Sequence, residues 1–107
     1  MDSAFKIIDN AEGDPLVVPK MLIKTLGLET SVLLSELCSE AAASGDGTFG
    51  YTRESLSDSL GMTVRTLSRC MKKLSWMGVV VVRREGFPRR NVYSVDTKKL
   101  KSLIGGE

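Results

Sequence analysis

The sequence predicts one α+β domain, mostly helical, with a three-helix core, a β-hairpin and short extra elements at both ends. Two observations predict this fold: a three-residue connection, Gly61-Met62-Thr63, separates two helical segments, and a β-branched run begins after Gly78. The length of 107 residues fits one domain, and 42% hydrophobic with 26% charged residues is ordinary for a globular chain. We place the core domain at residues 29–96, with residues 1–28 before it and residues 97–107 after it.

The first 28 residues are expected to form an arm and a short helix. Residues 4–8 (AFKII) fit a strand or an extended arm, and residues 9–15 are rich in turn formers. Pro19 fits the first turn of a helix that stops at Gly27, since proline is favoured there and glycine ends helices.

The next helix is expected to have a cap at Thr30 or Ser31 and to end near Ser44, with Leu28 packing inward. Its apolar residues recur at intervals of three and four, which predicts one buried stripe. The stripe comprises Leu33, Leu34, Leu37, Cys38, Ala41 and Ala42. A short strand follows at residues 48–52, with Phe49 and Tyr51 on one face.

Two short helices flank the Gly61-Met62-Thr63 connection. Thr52 is suited to cap the first, over residues 53–60, and Thr63 to cap the second, over about residues 64–77. A turn of three or four residues containing glycine is typical of a helix-turn-helix. On a helical wheel the second helix has a core face of Val64, Leu67, Cys70, Met71, Leu74 and Met77. Its other side carries Arg65, Thr66, Ser68, Arg69, Lys72, Lys73 and Trp76.

Gly78 is expected to end that helix, and two strand-like segments, residues 79–84 and 89–95, then predict a hairpin. The loop between them is too long for a two-residue turn, so it projects. Its tip is flanked by four arginines: Arg83, Arg84, Arg89 and Arg90. Asp96 is expected to cap a short basic helix before the tail.

The segment from Tyr51 to Val95 resembles a winged helix-turn-helix DNA-binding domain. The residues that carry the resemblance are Leu60-Gly61, Thr63, Arg65-Thr66, Leu74 and Gly78. The upstream stretch PLVVPKMLIKTLGLETSVLLSEL is similar to the N-terminal domain of plasmid and phage replication initiators and primosome-organising proteins. That similarity is less specific, since several transcription regulators begin in the same way.

The charge distribution favours a polyanionic partner. Residues 1–50 carry three lysines and eight acidic residues, a net charge of −5, whereas residues 51–104 carry twelve basic and four acidic residues, a net charge of +8. An acidic half followed by a basic half indicates that one face meets nucleic acid.

The resemblance implies sequence-specific binding of double-stranded DNA, in replication initiation or transcription regulation. In this fold the second helix of the motif enters the major groove, and the hairpin, called the wing, follows an adjacent groove or phosphate run. Arginine reads guanine edges, while lysines, hydroxyls and helix N-termini hold phosphates. The expected DNA-contacting residues are Thr52, Arg53, Thr63, Arg65, Thr66, Ser68, Arg69, Lys72, Lys73, Arg83, Arg84, Arg89 and Arg90.

Trp76 stands where a charged residue would be expected. It fits three roles: packing under the wing, forming an interface with a partner or a second copy, or contacting DNA. We expect a homodimer, because one recognition helix reads only a few base pairs. The alternative function is a protein-interaction module of a replication or regulatory assembly, with little direct DNA binding. Reversing the charges of Arg65 and Arg69 separates these hypotheses, since only the first requires them.

Several classes of function are excluded or disfavoured by composition. The chain has no histidine, so His-based triads and His metal ligands are absent. Cys38 and Cys70 lie far apart in sequence and are expected to be two buried thiols, with a disulfide as the alternative. No nucleotide-binding or hydrolase motif is present, so we expect no enzyme activity, no cofactor and no metal. Without a signal peptide or a membrane-spanning run, a cytoplasmic protein is expected.

Overall fold

The computed structural model describes residues 15–44, 48–50, 52–86 and 90–103. Within these ranges lie five helices and three strands, and the winged helix-turn-helix prediction is confirmed. In chain order they are α1 (Lys20–Leu26), α2 (Leu28–Ala43), β1 (Thr48–Gly50), α3 (Arg53–Leu60), α4 (Val64–Trp76), β2 (Val80–Glu85), β3 (Arg90–Val95) and α5 (Thr97–Leu103). The predictions for residues 4–14 and for Tyr51 lie outside the described residues.

The strands form one antiparallel sheet in the order β1-β3-β2. The central strand pairs Tyr93 with Phe49 on one side and with Val82 on the other. The β2–β3 pairing extends from Val80 opposite Val95 to Glu85 opposite Arg90, which forms the predicted hairpin. This arrangement ties the wing to the body of the domain, because β3 is held along both of its edges.

The core lies where α2, α3, α4 and the sheet meet. Its largest fully buried side chain is that of Tyr93. The other apolar side chains that are 2% exposed or less are Leu33, Leu34, Leu37, Leu56, Leu67, Cys70, Leu74, Val79 and Val80. Burial of several leucines at ~2 kcal/mol each is the main force that holds the three helices together.

Hydrogen bonds at the helix ends confirm the predicted caps of α3, α4 and α5. The Thr52 hydroxyl accepts from the Ser55 backbone N–H at 3.0 Å, and the Thr63 hydroxyl accepts from Thr66 N–H at 3.1 Å. Gly61 ends α3 in the left-handed region at φ 67°, a conformation that side chains with a Cβ rarely adopt. Asp96 begins α5, its carboxylate accepting from two backbone N–H groups within 3.1 Å.

The prediction for the start of α2 was wrong. The helix begins at Leu28, which is 65% exposed, while Thr30 and Ser31 lie inside the helix and are buried. Gly27, at φ 90°, makes the turn between α1 and α2 and starts the second helix earlier than the polar caps suggested. Ser31 therefore does not cap the helix but donates its hydroxyl proton to the Leu28 carbonyl at 2.8 Å.

In α2 and α4 the pattern of buried residues also differs from the one that the sequence predicts. Val64 is 40% exposed rather than part of the core, because it is the first residue of α4 and no earlier turn covers it. In α2 the fully buried part of the stripe ends at Leu37; Cys38 and Ala41 are partly buried, and Ala42 near the end of the helix is exposed.

Candidate nucleic-acid interface

The turn between α3 and α4 is fixed by hydrogen bonds and by packing. The Met62 backbone N–H donates to the Ser57 carbonyl at 3.2 Å, and the Ser57 hydroxyl donates to the Met62 carbonyl. Leu56 of α3 and Leu67 of α4 are both buried beneath the turn. The two helices are thus held at one angle, and the outer side of α4 is presented to solvent.

That outer side forms a basic concave surface, which we call the α4 face. Five polar side chains line one open concavity of about 530 Å³, and they are Arg65, Thr66, Ser68, Arg69 and Lys72. Arg65 and Lys72 are exposed. Neither makes a side-chain hydrogen bond or ion pair with another described residue. The α4 face therefore keeps two cations available for an outside anion.

Two further cations of α4 are held by the N-terminal helices. The Arg69 guanidinium pairs with Glu29 of α2, with Nη2 and Oε1 2.8 Å apart. One turn later, the Lys73 ammonium donates to the Leu26 carbonyl of α1 at 3.1 Å. Arg69 thus belongs to the α4 face and also contacts the α1–α2 junction, whereas Lys73 is directed to the junction.

A second, more apolar pocket joins the N-terminus of α3 to the sheet. It has a volume of about 290 Å³, with Arg53 and Lys72 among its lining residues. Ser68 and Asn91 also line it, and Leu67, Val82 and Tyr93 contribute apolar walls. The fold consequently brings Arg53 of α3 together with Ser68 and Lys72 of α4.

The wing arginines divide between the two faces of the sheet. Side chains alternate along a strand, so Arg84 shares the face of Val80 and Val82, which is directed to α4. Arg83 lies on the opposite face, where its guanidinium is 3.4 Å from the Glu85 carboxylate. Arg89 and the side chain of Arg90 lie outside the described residues.

The match to a known family agrees with this geometry. Residues 31–103 match the Crp-like helix-turn-helix domain, a range that begins within α2, ends with α5 and includes both helices of the motif and the hairpin. The chain belongs to this family. It is a Crp-like winged helix-turn-helix domain.

Solved structures share the fold of this Crp-like domain at low sequence identity. An "N-Terminal domain of DNA binding protein" has a TM-score of 0.60 at 18% identity, covering 100% of this chain and 99% of that chain. A "Structure of Rep-DNA complex" also has a TM-score of 0.60, at 17% identity, covering 100% and 98%. A "Possible transcriptional regulator from Methanosarcina mazei Go1" has 0.52 at 17% identity, covering 98% and 81%. No curated protein matches the chain by sequence.

Two threonines of the predicted DNA-contacting set already have structural roles. The hydroxyls of Thr52 and Thr63 cap α3 and α4 in the Crp-like domain, and Thr63 Oγ1 also lies 3.1 Å from Thr66 Oγ1. A hydroxyl oxygen that accepts from a backbone N–H keeps a proton that it can donate. Capping and a phosphate contact are therefore compatible at Thr52.

Trp76 is 86% exposed at the last residue of α4. The idea that it packs under the wing is therefore wrong, because a packed indole would lose most of its accessible surface. The roles of interface and DNA contact stay open for Trp76. Its exposure is unusual, since a large aromatic side chain gains much from burial.

Sequence reasoning missed Glu29 and Asn91. Glu29 lies 40 residues before Arg69, and nothing local in the sequence indicates that the two side chains meet. Asn91 lies opposite Arg84 in the hairpin, and counting the alternation back from buried Tyr93 places it on the inner face. Asn91 could have been assigned to the inner face from a predicted hairpin register, whereas the contact of Glu29 with Arg69 follows only from the tertiary fold.

Further properties of the described residues concern thiol reactivity, metal binding and membrane insertion. Cys38 and Cys70 are both free thiols. Cys70 is buried as predicted, whereas Cys38 is only partly buried, and that burial raises the pKa of the Cys38 thiol. The described ranges contain no cluster of three or more potential metal-ligating side chains. None of the described helices has the length and apolarity required to span a bilayer.

Proposed function

We propose that this domain binds double-stranded DNA sequence-specifically, with α4 in the major groove and the wing on an adjacent groove or phosphate run. The observation that carries the proposal is the α4 face, where Arg65 and Lys72 stand exposed and unpaired among the described residues. Cationic side chains without an intramolecular partner are suited to bind a polyanion. When they bind, the counterions condensed on the polyanion are released.

The position of each side chain along α4 assigns its role. Arg65 and Thr66 lie in the first turn of α4, the part that approaches base edges in helix-turn-helix proteins. Arg65 has the donor geometry to read guanine O6 and N7, and Ser68 lies one turn further on the same face. We assign Lys72 and Arg53, which line one pocket together with Ser68, to contacts with the DNA backbone.

Within the wing, Arg84 is the described arginine best placed for DNA. It lies on the sheet face directed to α4, whereas Arg83 is paired with Glu85 on the other face. We therefore assign Arg84 to the same phosphate run as Lys72, and from their place in the sequence we propose the same role for Arg89 and Arg90. Arg83 contributes to the general positive field.

The setting of this activity is prokaryotic, phage or plasmid replication initiation or transcription regulation. Similarity to the fold of a Rep protein bound to DNA supports replication, and similarity to a possible transcriptional regulator supports regulation. The upstream stretch that resembles replication initiators includes α1 and most of α2, which pack against each other in the structure.

Fluorescence anisotropy of a labelled random-sequence duplex, titrated with the protein at several salt concentrations, tests the proposal. If about six cations neutralise phosphates, log affinity should fall with log salt at a slope near −5. Affinity should change little between about pH 6 and 8, because the chain has no histidine to titrate there. Absence of salt-dependent duplex binding would contradict the proposal.

A homodimer is the second part of the proposal, and exposed Trp76 supports it. With 86% of its surface accessible, this side chain gains from an apolar partner surface, and a second copy offers one. Light scattering should give about twice the chain mass of 11.7 kDa, and Trp76→Ala should shift the equilibrium toward monomer. Val81→Ala, at an exposed apolar residue of the wing, is the matched control. A monomer over a wide concentration range would contradict the homodimer.

The alternative, a protein-interaction module with little direct DNA binding, is favoured by the same residue. Under that alternative Trp76 is the anchor for a replication or regulatory partner, and the α4 face is solvated surface. The two functions differ in one consequence, because only DNA binding fails when the charges of the α4 face are reversed.

A further inference from the structure

One acidic residue reaches the edge of the α4 face. Glu29 comes from the first turn of α2, and its Oε1 accepts from Arg69 Nη2 at 2.8 Å. The contact is supported one turn further along α4, where Lys73 is bound to the Leu26 carbonyl. The α1–α2 junction therefore runs alongside α4 and fixes where Glu29 stands.

The pair leaves Arg69 capable of a second interaction. A guanidinium has five N–H donors, and Glu29 is bonded through Nη2, so the Nη1 and Nε donors remain for another acceptor. The side chain of Arg69 is 69% exposed and borders the α4 face. Arg69 can accordingly contact DNA while it stays bound to Glu29.

The Glu29 carboxylate changes whether Arg69 favours guanine edges or phosphates. It offsets part of the positive charge that an unpaired arginine would offer to any phosphate, and it favours the rotamer of Arg69 that keeps the pair. A guanine edge, in contrast, needs an oriented donor pair rather than net charge. An Arg69 side chain that is oriented and carries a reduced net charge therefore favours base contacts over phosphate contacts.

We propose that Glu29 is a specificity-determining residue of the DNA interface, which orients Arg69 and masks its charge against non-specific phosphates. This inference rests on the proposed function. Both side chains are more than half exposed, so the pair is weak and easily displaced. The effect should therefore appear as a modest change in the ratio of specific to non-specific affinity, not as loss of folding.

The test compares Glu29→Gln with wild type on two probes: a random-sequence duplex, and the tightest duplex that wild type selects from a random pool. Glu29→Gln should raise affinity for the random duplex about two- to fivefold and steepen the salt slope by about 0.9, since one more cation meets phosphate. The selected duplex should gain less, so the specificity ratio should fall about two- to fivefold.

Glu36→Gln is the matched control, because it removes the same charge from the same helix. Glu36 accepts from the Ser59 hydroxyl at 3.2 Å and does not contact Arg69. In the Arg69→Gln background, Glu29→Gln should lose its effect on the ratio. Two results would overturn this inference but not the proposed function. One is an equal specificity ratio for Glu29→Gln and Glu36→Gln. The other is an undiminished effect of Glu29→Gln on that ratio in the Arg69→Gln background. Failure of wild type to bind any duplex would overturn the proposed function and this inference with it.

Discussion

Reversing two charges on the α4 face, in the variant Arg65→Glu with Lys72→Glu, should weaken duplex binding by about 100-fold or more. Each lost arginine–base or lysine–phosphate contact costs on the order of 1–3 kcal/mol, and the new carboxylates repel the DNA backbone. Both side chains are exposed and make no ion pair with another described residue, so the fold should be unaffected. Fluorescence anisotropy measures the affinity, and thermal unfolding checks the fold.

The control for this variant changes the same net charge elsewhere. Lys98→Glu with Lys101→Glu places two reversals on α5, whose exposed lysines lie outside the α4 face. This control should lose only the affinity that follows from the weaker overall positive field. Equal losses in both variants would mean that net charge, rather than the geometry of α4, determines binding.

Replacing a core leucine, in the variant Leu74→Ala, should lower the free energy of unfolding by about 2–5 kcal/mol. Leu74 is fully buried between α4 and the rest of the core, so the substitution removes apolar contacts and leaves a cavity. Domains of this size have roughly 5–15 kcal/mol of stability in total. Thermal unfolding should show a decrease in Tm of roughly 10–20 °C.

Leu28→Ala is the matched control for Leu74→Ala. The same atoms are removed, but Leu28 is 65% exposed, so the change should lie within about 0.5 kcal/mol. A Tm for Leu74→Ala that equals the Tm of the control would contradict the placement of α4 against the core.

The helix-turn-helix and the wing were predictable because their signals are local. Thr52 and Thr63 cap helices through bonds to residues three positions later, and Gly61 adopts the positive φ that the turn requires. The β-branched run after Gly78 pairs with the segment that follows it after a short loop. Each of these features depends on residues that are close in sequence.

The start of α2 and the partners of the basic residues were not predictable in this way. The sequence predicts that Gly27 ends α1, yet at φ 90° it also serves as the N-cap of the next helix. From the local charge pattern, Arg69 and Lys73 are both predicted to contact DNA, and nothing in that pattern distinguishes them. Only the packing of α1 and α2 beside α4 shows that Lys73 is directed to Leu26 and that Arg69 is shared with Glu29.

The α4 face is the central element of the account, and amide chemical-shift mapping by NMR tests it most directly. On titration with a duplex selected from a random pool, the largest shifts should occur at Arg65, Thr66 and Ser68, at Thr52 and Arg53, and at Arg84 in the wing. The amides of α1 should change little, because its described contacts face the core and the edge of α4. Shifts concentrated at α1 and Trp76, with the first turns of α4 unaffected, would contradict the account.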